Sequence, residues 1–351
     1  LNQALSKPPI LNRLLSKALE HYIPVSILFE LTYQCNLRCS HCYISNREEA
    51  GLPQEKIEHI LDQLAEEGTL FLSFSGGEIF MRNDFFAIAR YARRKNFALN
   101  LFTNGTLIDE RIADEIAELA PQKVEISIYG ATQDTHDKIT CTPGSWEKSL
   151  KAIKLLKKRG VGITLKTLWM KENIHEAEAV LKLKDELDIG IRASELISPM
   201  SNGCSAPLSH RLDDQQLRFL NRLLRRYSDN KIDDSLPSDA KTADLSHWKS
   251  CGAGIYYAAI SPTGELYPCV LFPHSLGNLT KKNFSKIWST SPFLKKIRDT
   301  NLCDLKDCSS CPLIFHCPRC PAMAALEEGD WLKPWKEACR IAKIASMEDS
   351  L

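Results

Sequence analysis

Cys35, Cys39 and Cys42 stand in the run Cys-Asn-Leu-Arg-Cys-Ser-His-Cys, a Cys-x3-Cys-x2-Cys spacing that puts three thiolates on one short loop. A 4Fe-4S cube has four irons, so three cysteine ligands leave one iron open to chelate a substrate or cofactor. Structural zinc sites close with four ligands, usually at Cys-x2-Cys or Cys-x4-Cys spacing. The loop therefore points to catalysis at an open iron. A second group lies toward the other end of the chain. Cys251, Gly264 and Cys269 follow Cys-x12-Gly-x4-Cys, and then come Cys303, Cys308-x2-Cys311-x5-Cys317-x2-Cys320 and Cys339. Taken alone, the doubled Cys-x2-Cys reads as a zinc ribbon as readily as an iron-sulfur site.

The elements that must position these loops alternate. Short apolar runs at 26–31 and 70–74 read as strands, and between them Ile57, Ile60, Leu61 and Leu64 repeat at helical spacing until Gly68. Further strands are expected at 97–102, 124–128, 163–168 and 191–196, with helical stripes such as Ile108, Ile112, Ile116 and Leu119 between them. Six strands separated by helices predict an α/β fold with a parallel sheet and right-handed crossovers. The turn-rich run 201–207 ends the pattern. A helix is expected over 214–226 with Leu217, Leu220 and Leu224 on one side, and 229–250 reads as a loop or linker. Arg218, Arg222, Arg225 and Arg226 read as a solvated helix face rather than a nucleic-acid stripe.

The cysteine loop, with aromatic His41 before its third cysteine, and Gly76-Gly77-Glu78 after the second strand resemble the signature of the radical S-adenosylmethionine (radical SAM) enzymes. The resemblance implies a partial (β/α)6 TIM-like barrel with its catalytic groups at the carboxyl ends of the strands. The cysteine loop, Gly76-Gly77-Glu78 and Thr103-Asn104-Gly105 follow strands one, two and three, as that rule asks. It also implies that the amino and carboxylate groups of SAM hold the open iron, and that one electron then yields a 5′-deoxyadenosyl radical that takes a hydrogen atom from substrate. The cofactor carries the hard chemistry, and the protein supplies position and exclusion of water. Glu78 and the Gly76-Gly77 backbone would meet the SAM amino group, glycine suiting that close approach. Ser127 would reach the ribose and Arg192 the carboxylate, with His41, Tyr43 and Asn104 completing the cofactor set. By themselves, Gly-Gly-Glu is an ordinary glycine turn, and an arginine in a strand equally faces solvent.

Behind that core, the second cysteine group resembles the SPASM extension, a small cysteine-rich domain holding auxiliary iron-sulfur clusters. The resemblance assigns Cys251, Cys269 and Cys320 to a first auxiliary 4Fe-4S cluster and Cys308, Cys311, Cys317 and Cys339 to a second. The first is then one ligand short. Cys317 and Cys320 are two residues apart where three is usual, and Cys303 is extra. Cys303 either completes the first cluster or is idle, and the expectation is an open iron there. Cys141 and Cys204 read as idle thiols. The implied domains are an extension at 1–25, the barrel at 26–205, a bridging helix and linker at 206–250, and the auxiliary-cluster domain at 251–351.

Composition agrees. A chain of 351 residues, 44% hydrophobic, has room for two domains and a sizeable core. A net charge of +1 carries no basic excess for nucleic acid. Thirteen cysteines in 351 residues, grouped at the two ends, are too few for a disulfide scaffold and indicate metal ligation in a reducing compartment. No apolar run is long enough to span a membrane, and no signal peptide is visible. The expected location is the cytoplasm.

Hydrogen abstraction leaves a substrate radical, and a net two-electron oxidation needs an acceptor for the second electron, which a nearby cluster supplies. The expected reaction is a carbon-sulfur or carbon-carbon cross-link in a ribosomally made precursor peptide, as in the pyrroloquinoline quinone and mycofactocin types of maturase. Sulfatase maturases carry an aspartate base directly after the cysteine equivalent to Cys269, where this chain has Val270. The segment 1–25 is too short for a fused leader-binding domain, so a separate leader-peptide recognition protein is expected, with a flavodoxin or ferredoxin as electron donor. Tetrapyrrole side-chain decarboxylation in haem synthesis is the alternative enzyme reading. A non-catalytic iron-sulfur redox sensor is the alternative of another class.

Overall fold

The structure, a computed structural model, describes residues 9–227 and 248–348. Its centre is one nine-stranded sheet. The strands are β1 (Ser26–Thr32), β2 (Phe71–Gly76), β3 (Ala98–Thr103), β4 (Lys123–Ser127), β5 (Ile163–Leu168), β6 (Gly190–Ser194), β7 (Tyr257–Ile260), β8 (Glu265–Tyr267) and β9 (Gly277–Asn278). Their order is β6-β5-β4-β3-β2-β1-β7-β8-β9. The first six pair in parallel with helices between them, the arrangement the sequence pattern predicts, with strand ends moved by one or two residues.

Alternation along the strands divides the sheet into two faces. Ile27, Phe29 and Leu31 of β1, Leu72 and Phe74 of β2, Leu99 and Leu101 of β3, and Val124 and Ile126 of β4 join the main core under the helices. The opposite face carries Glu30, Ser73, Ser75, Asn100, Glu125, Ser127, Lys166 and Arg192. A closed (β/α)8 barrel fills its interior with branched apolar side chains. A concave face this polar suits a ligand instead.

The helix Gln54–Glu66 buries Ile57, Ile60, Leu61 and Leu64, and the chain leaves it through Gly68 at φ 82°. In the helix Glu110–Leu119, Ile112, Ile116 and Leu119 face the core, while Ile108 belongs to the turn before the Asp109 cap. The helix Asp214–Tyr227 buries Leu217, Leu220 and Leu223, and Leu224 packs against the same core partly buried. Arg222, Arg225 and Arg226 are exposed, whereas Arg218 is half-buried, and Arg218 and Arg225 reach Met347 and the Ala345 carbonyl of the last helix. Most of the segment 229–250 lies outside the described residues. Among the described residues no helix is long and apolar enough to cross a membrane.

The strands of the cysteine-rich region were not foreseen. β7 pairs in parallel with β1, Ser26 opposite Tyr257 through Phe29 opposite Ile260, and β8 and β9 continue the sheet antiparallel. The second cysteine group is thereby carried to the edge of the half-barrel beside β1.

Candidate active site

The loop of Cys35, Cys39 and Cys42 leaves the carboxyl end of β1 and is held by its own backbone. The Arg38 and Ser40 N–H groups donate to the carbonyls of Thr140 (3.1 Å) and Ile139 (3.0 Å) at the end of the helix Gln133–Thr140. Arg47 donates to the carbonyls of Leu37 (3.2 Å) and Cys39 (3.4 Å) from the other side. Asn104, past β3, donates to Asn36 Oδ1 (2.9 Å) and points the same Nδ2 at Cys35 Sγ (3.9 Å). It braces the loop. Burial pushes the Cys39 thiol up to about 12, with Cys42 and Cys35 adding to the rise. Cys35 is likewise raised by burial, with the Glu78 and Cys42 charges contributing. Three soft donors on one loop, two of them with disfavoured thiolates, form a set that a cationic cluster relieves, so the residues fit an iron-sulfur group. Among the described residues no three His, Cys, Asp or Glu side chains stand in metal-ligating geometry.

Gly76 and Gly77 meet this loop directly. A Cβ on Gly76, which has φ +133°, would lie 2.1 Å from the Thr32 carbonyl oxygen, and one on Gly77 2.2 Å from that of Gln34. The Gly77 and Glu78 N–H groups donate to those same carbonyls (2.7 and 2.8 Å). In this structure the close approach that demands glycine is therefore to the strand leading into Cys35. The fully buried Glu78 carboxylate accepts from Thr103 Oγ1 (2.7 Å), the Asn104 N–H (2.8 Å) and the Phe80 N–H (3.2 Å). Burial raises it to about 6 against the pull of these donors.

His41 is buried, and burial lowers its imidazole to about 3, so the ring is neutral. It meets Tyr129 edge-on at 4.5 Å, and Tyr129 stacks on His136 at 5.8 Å and hydrogen-bonds Ser127. Arg192, about half exposed on β6, reaches the buried Glu125 of β4 at 3.2 Å, which Lys123 also holds at 2.9 Å. The Lys166 ammonium lies 4.2 Å from the Phe102 ring centroid, its charge disfavoured first by burial and then by Arg192 and Lys123. Three cations thus surround one carboxylate on the inner face.

The second cysteine group falls into two neighbourhoods. Cys269 is pushed up to about 12 by burial, then by Cys251 and Cys320, and Cys320 is raised by burial and by Cys251. Cys317 is pushed up to about 11 by burial, then by Cys339, Cys308 and Cys311. The neighbourhoods interleave along the chain. Arg319 spans the second, its guanidinium 3.7 Å from Cys308 Sγ and bound to the carbonyls of Trp331 and Lys333. Cys303 is exposed on the turn Leu302–Asp304, its Sγ 3.7 Å from Asp304 Oδ1. Cys141 and Cys204 are exposed.

Glu30 was missed in the sequence, although a carboxylate inside the apolar run Ser-Ile-Leu-Phe-Glu-Leu-Thr was its signal. It is 3% exposed on β1, five residues before Cys35. The Tyr43 hydroxyl donates to its Oε1 and the Tyr33 hydroxyl to its Oε2 (3.1 Å). Tyr257, on β7, is raised by burial and by the charges of Cys269, Glu30 and Cys251. Tyr129, Arg47 and Arg319 were missed as well. They act through contacts between segments distant in sequence.

A family model described as the radical SAM superfamily matches residues 29–183, and one described as an iron-sulfur cluster-binding domain, SPASM, matches residues 251–312. The chain is a radical SAM/SPASM enzyme. Its cofactors are S-adenosylmethionine and iron-sulfur clusters. The enzyme is 28% identical over 334 residues to the AdoMet-dependent heme synthase of Methanosarcina barkeri, covering 88% of this chain and 95% of that one. It is 29% identical over 349 residues to the antilisterial bacteriocin subtilosin biosynthesis protein AlbA of Bacillus subtilis, covering 94% and 74%. In fold it resembles Streptococcus suis SuiB bound to its precursor peptide SuiA, with a TM-score of 0.73 at 18% identity over 95% of this chain and 82% of that one.

Proposed function

We propose that this radical SAM/SPASM enzyme oxidises a ribosomally made precursor peptide, forming a carbon-sulfur or carbon-carbon cross-link. The observation that carries the reading is the pairing of β7 with β1, which joins the region of the second cysteine group to the strand that leads into the first. The relatives AlbA, named for subtilosin biosynthesis, and SuiB, solved with a precursor peptide, support it.

In this reading Cys35, Cys39 and Cys42 hold a 4Fe-4S cluster with an open iron. S-adenosylmethionine bound there supplies, on one-electron reduction, a 5′-deoxyadenosyl radical. Gly76, Gly77, Glu78, Asn104, His41, Tyr43, Ser127 and Arg192 shape its site. Glu78 and Asn104 do so by fixing the turns after β2 and β3, and neutral His41 and Tyr129 form an apolar wall that excludes water. Arg192 and Lys166 offer cations to carboxylates of cofactor or substrate. Cys251, Cys269 and Cys320 hold a first auxiliary cluster with one iron open, and Cys308, Cys311, Cys317 and Cys339 a second. Cys303 stays outside. The domains divide at about residues 25, 205 and 250. A separate leader-peptide recognition protein, a flavodoxin or ferredoxin and a cytoplasmic setting complete the proposal.

The test is oxygen-free incubation of the reconstituted enzyme with SAM, reductant and short peptides encoded beside its gene. Formation of 5′-deoxyadenosine together with a peptide lighter by two hydrogens is the expected result. Fully loaded enzyme that forms no 5′-deoxyadenosine would instead be a redox sensor. A tetrapyrrole substrate is the second reading, favoured by the heme synthase relative and by the cations Lys123, Lys166 and Arg192, which suit propionate side chains. Oxidative decarboxylation of a carboxylate-bearing tetrapyrrole, with every peptide left unchanged, would establish it.

A further inference from the structure

Oxidising a substrate radical to a closed-shell product removes one electron and, when a new bond or double bond forms, one proton. The hydrogen atom has already gone to the adenosyl carbon. The electron leaves to an oxidised iron-sulfur cluster, which is reduced by one. The proton needs a base on the concave face.

The inner face of β1 to β7 offers two buried carboxylates, and they differ. Glu125 is held in ion pairs by Lys123 and Arg192. Glu30 has no cation within ion-pair distance among the described residues, only the hydroxyls of Tyr43 and Tyr33. Burying a carboxylate without a cation is expensive. A brace that only accepts from two hydroxyls would be served by a neutral amide, so the ionisable group calls for a use. Burial raises its carboxyl to about 7, moderated by the two tyrosines, which suits a proton acceptor working near neutrality. Its surroundings match the need. Tyr43 directly follows Cys42, and the charges of Glu30, Cys269 and Cys251 all act on Tyr257 of β7, the strand paired with β1.

We propose that Glu30, reached through the hydroxyls of Tyr43 and Tyr33, is the terminal proton acceptor of the oxidative step. The substrate's X–H or C–H bond gives its proton to a tyrosine oxygen as that tyrosine's own proton passes to Glu30, while the electron pair of that bond stays with the substrate. One electron goes on to the cluster. Val270 follows Cys269 in this chain, so no acidic side chain stands at that position.

This inference rests on the oxidative reading above. The experiment compares wild type, Glu30→Gln, Glu30→Asp and Tyr33→Phe, reconstituted without oxygen, using the peptide that wild type modifies. Iron content, calorimetric SAM affinity, 5′-deoxyadenosine and oxidised peptide are measured on each. Glu30→Gln is expected to keep its iron, bind SAM within about twofold and still form 5′-deoxyadenosine, with oxidised peptide per 5′-deoxyadenosine falling roughly a hundredfold, the range of general base catalysis. Tyr33→Phe should uncouple in the same way, and Glu30→Asp should recover part of the coupling. An unchanged ratio in Glu30→Gln overturns the inference alone. So does loss of iron or SAM affinity in parallel with product and without recovery in Glu30→Asp, since that marks a brace. A wild type that forms 5′-deoxyadenosine but oxidises no peptide overturns the maturase reading and this inference with it.

Discussion

Glu78, at the end of β2, accepts the backbone N–H of Asn104, at the end of β3, at 2.8 Å in a fully buried setting. One carboxylate thereby fixes the turn that carries Gly76-Gly77 against the turn whose Asn104 reaches toward Cys35. Replacing Glu78 with alanine leaves the Thr103 hydroxyl and the Asn104 and Phe80 N–H groups without their acceptor. At about 1–3 kcal/mol for each buried donor left unpaired, the expected loss is about 3 kcal/mol or more. Urea unfolding of the apo-protein measures it, and an unchanged midpoint would refute the brace.

Gly77→Ala should act on the cysteine loop. Its Cβ would sit 2.2 Å from the Gln34 carbonyl oxygen and 2.6 Å from that of Tyr33, both backbone atoms that cannot swing aside. The strand leading into Cys35 must shift. The expected outcome is loss of about four irons per chain, matching a variant with Cys35, Cys39 and Cys42 all changed to alanine, while the irons of the second cysteine group remain. Iron and sulfide assays on both variants check it.

Cys303→Ala should leave the iron content unchanged. The thiols that raise Cys269 are Cys251 and Cys320, whereas Cys303 is exposed beside Asp304. A loss of one cluster's worth of iron would make Cys303 the missing fourth ligand and close the iron proposed to be open.

The pH dependence of folding should reveal Glu30 in the apo-protein. Its carboxyl is raised from 4.5 to about 7, so between those values the folded chain binds the proton more tightly and stability falls as pH rises. The phenols around it, Tyr33, Tyr43, Tyr257 and Tyr267, are all raised from 10.0 and stay neutral in that window. His41 and His136, lowered to about 3 and about 4, act with the opposite sign over an overlapping range, so the readout is a difference. Glu30→Gln should gain about 3 kcal/mol relative to wild type between pH 4.5 and 7. A flat difference curve would place Glu30 at an ordinary carboxyl value.

The sequence by itself determined the parallel core and its chemistry. Period-2 and period-3.6 patterns are local, so β1 to β6 and the helices between them follow from residues near each other in the chain. The cysteine spacings are local too, as is the place of Gly76-Gly77-Glu78 and Asn104 after their strands. Tertiary structure alone decided the rest. β7 to β9 are two to four residues long in a stretch rich in glycine, proline and cysteine, too short for periodicity to register, and they form because β1 offers an edge to pair with. That pairing brings Tyr257 within reach of the charges of both Glu30 and Cys269, residues more than two hundred positions apart in the chain. Packing of the turns after β1, β2 and β3 likewise sets Gly77 against the Gln34 carbonyl and Asn104 against Asn36. A hydrogen bond or steric contact between distant segments leaves no spacing to read in either one, because its physical cause is the packing that joins them.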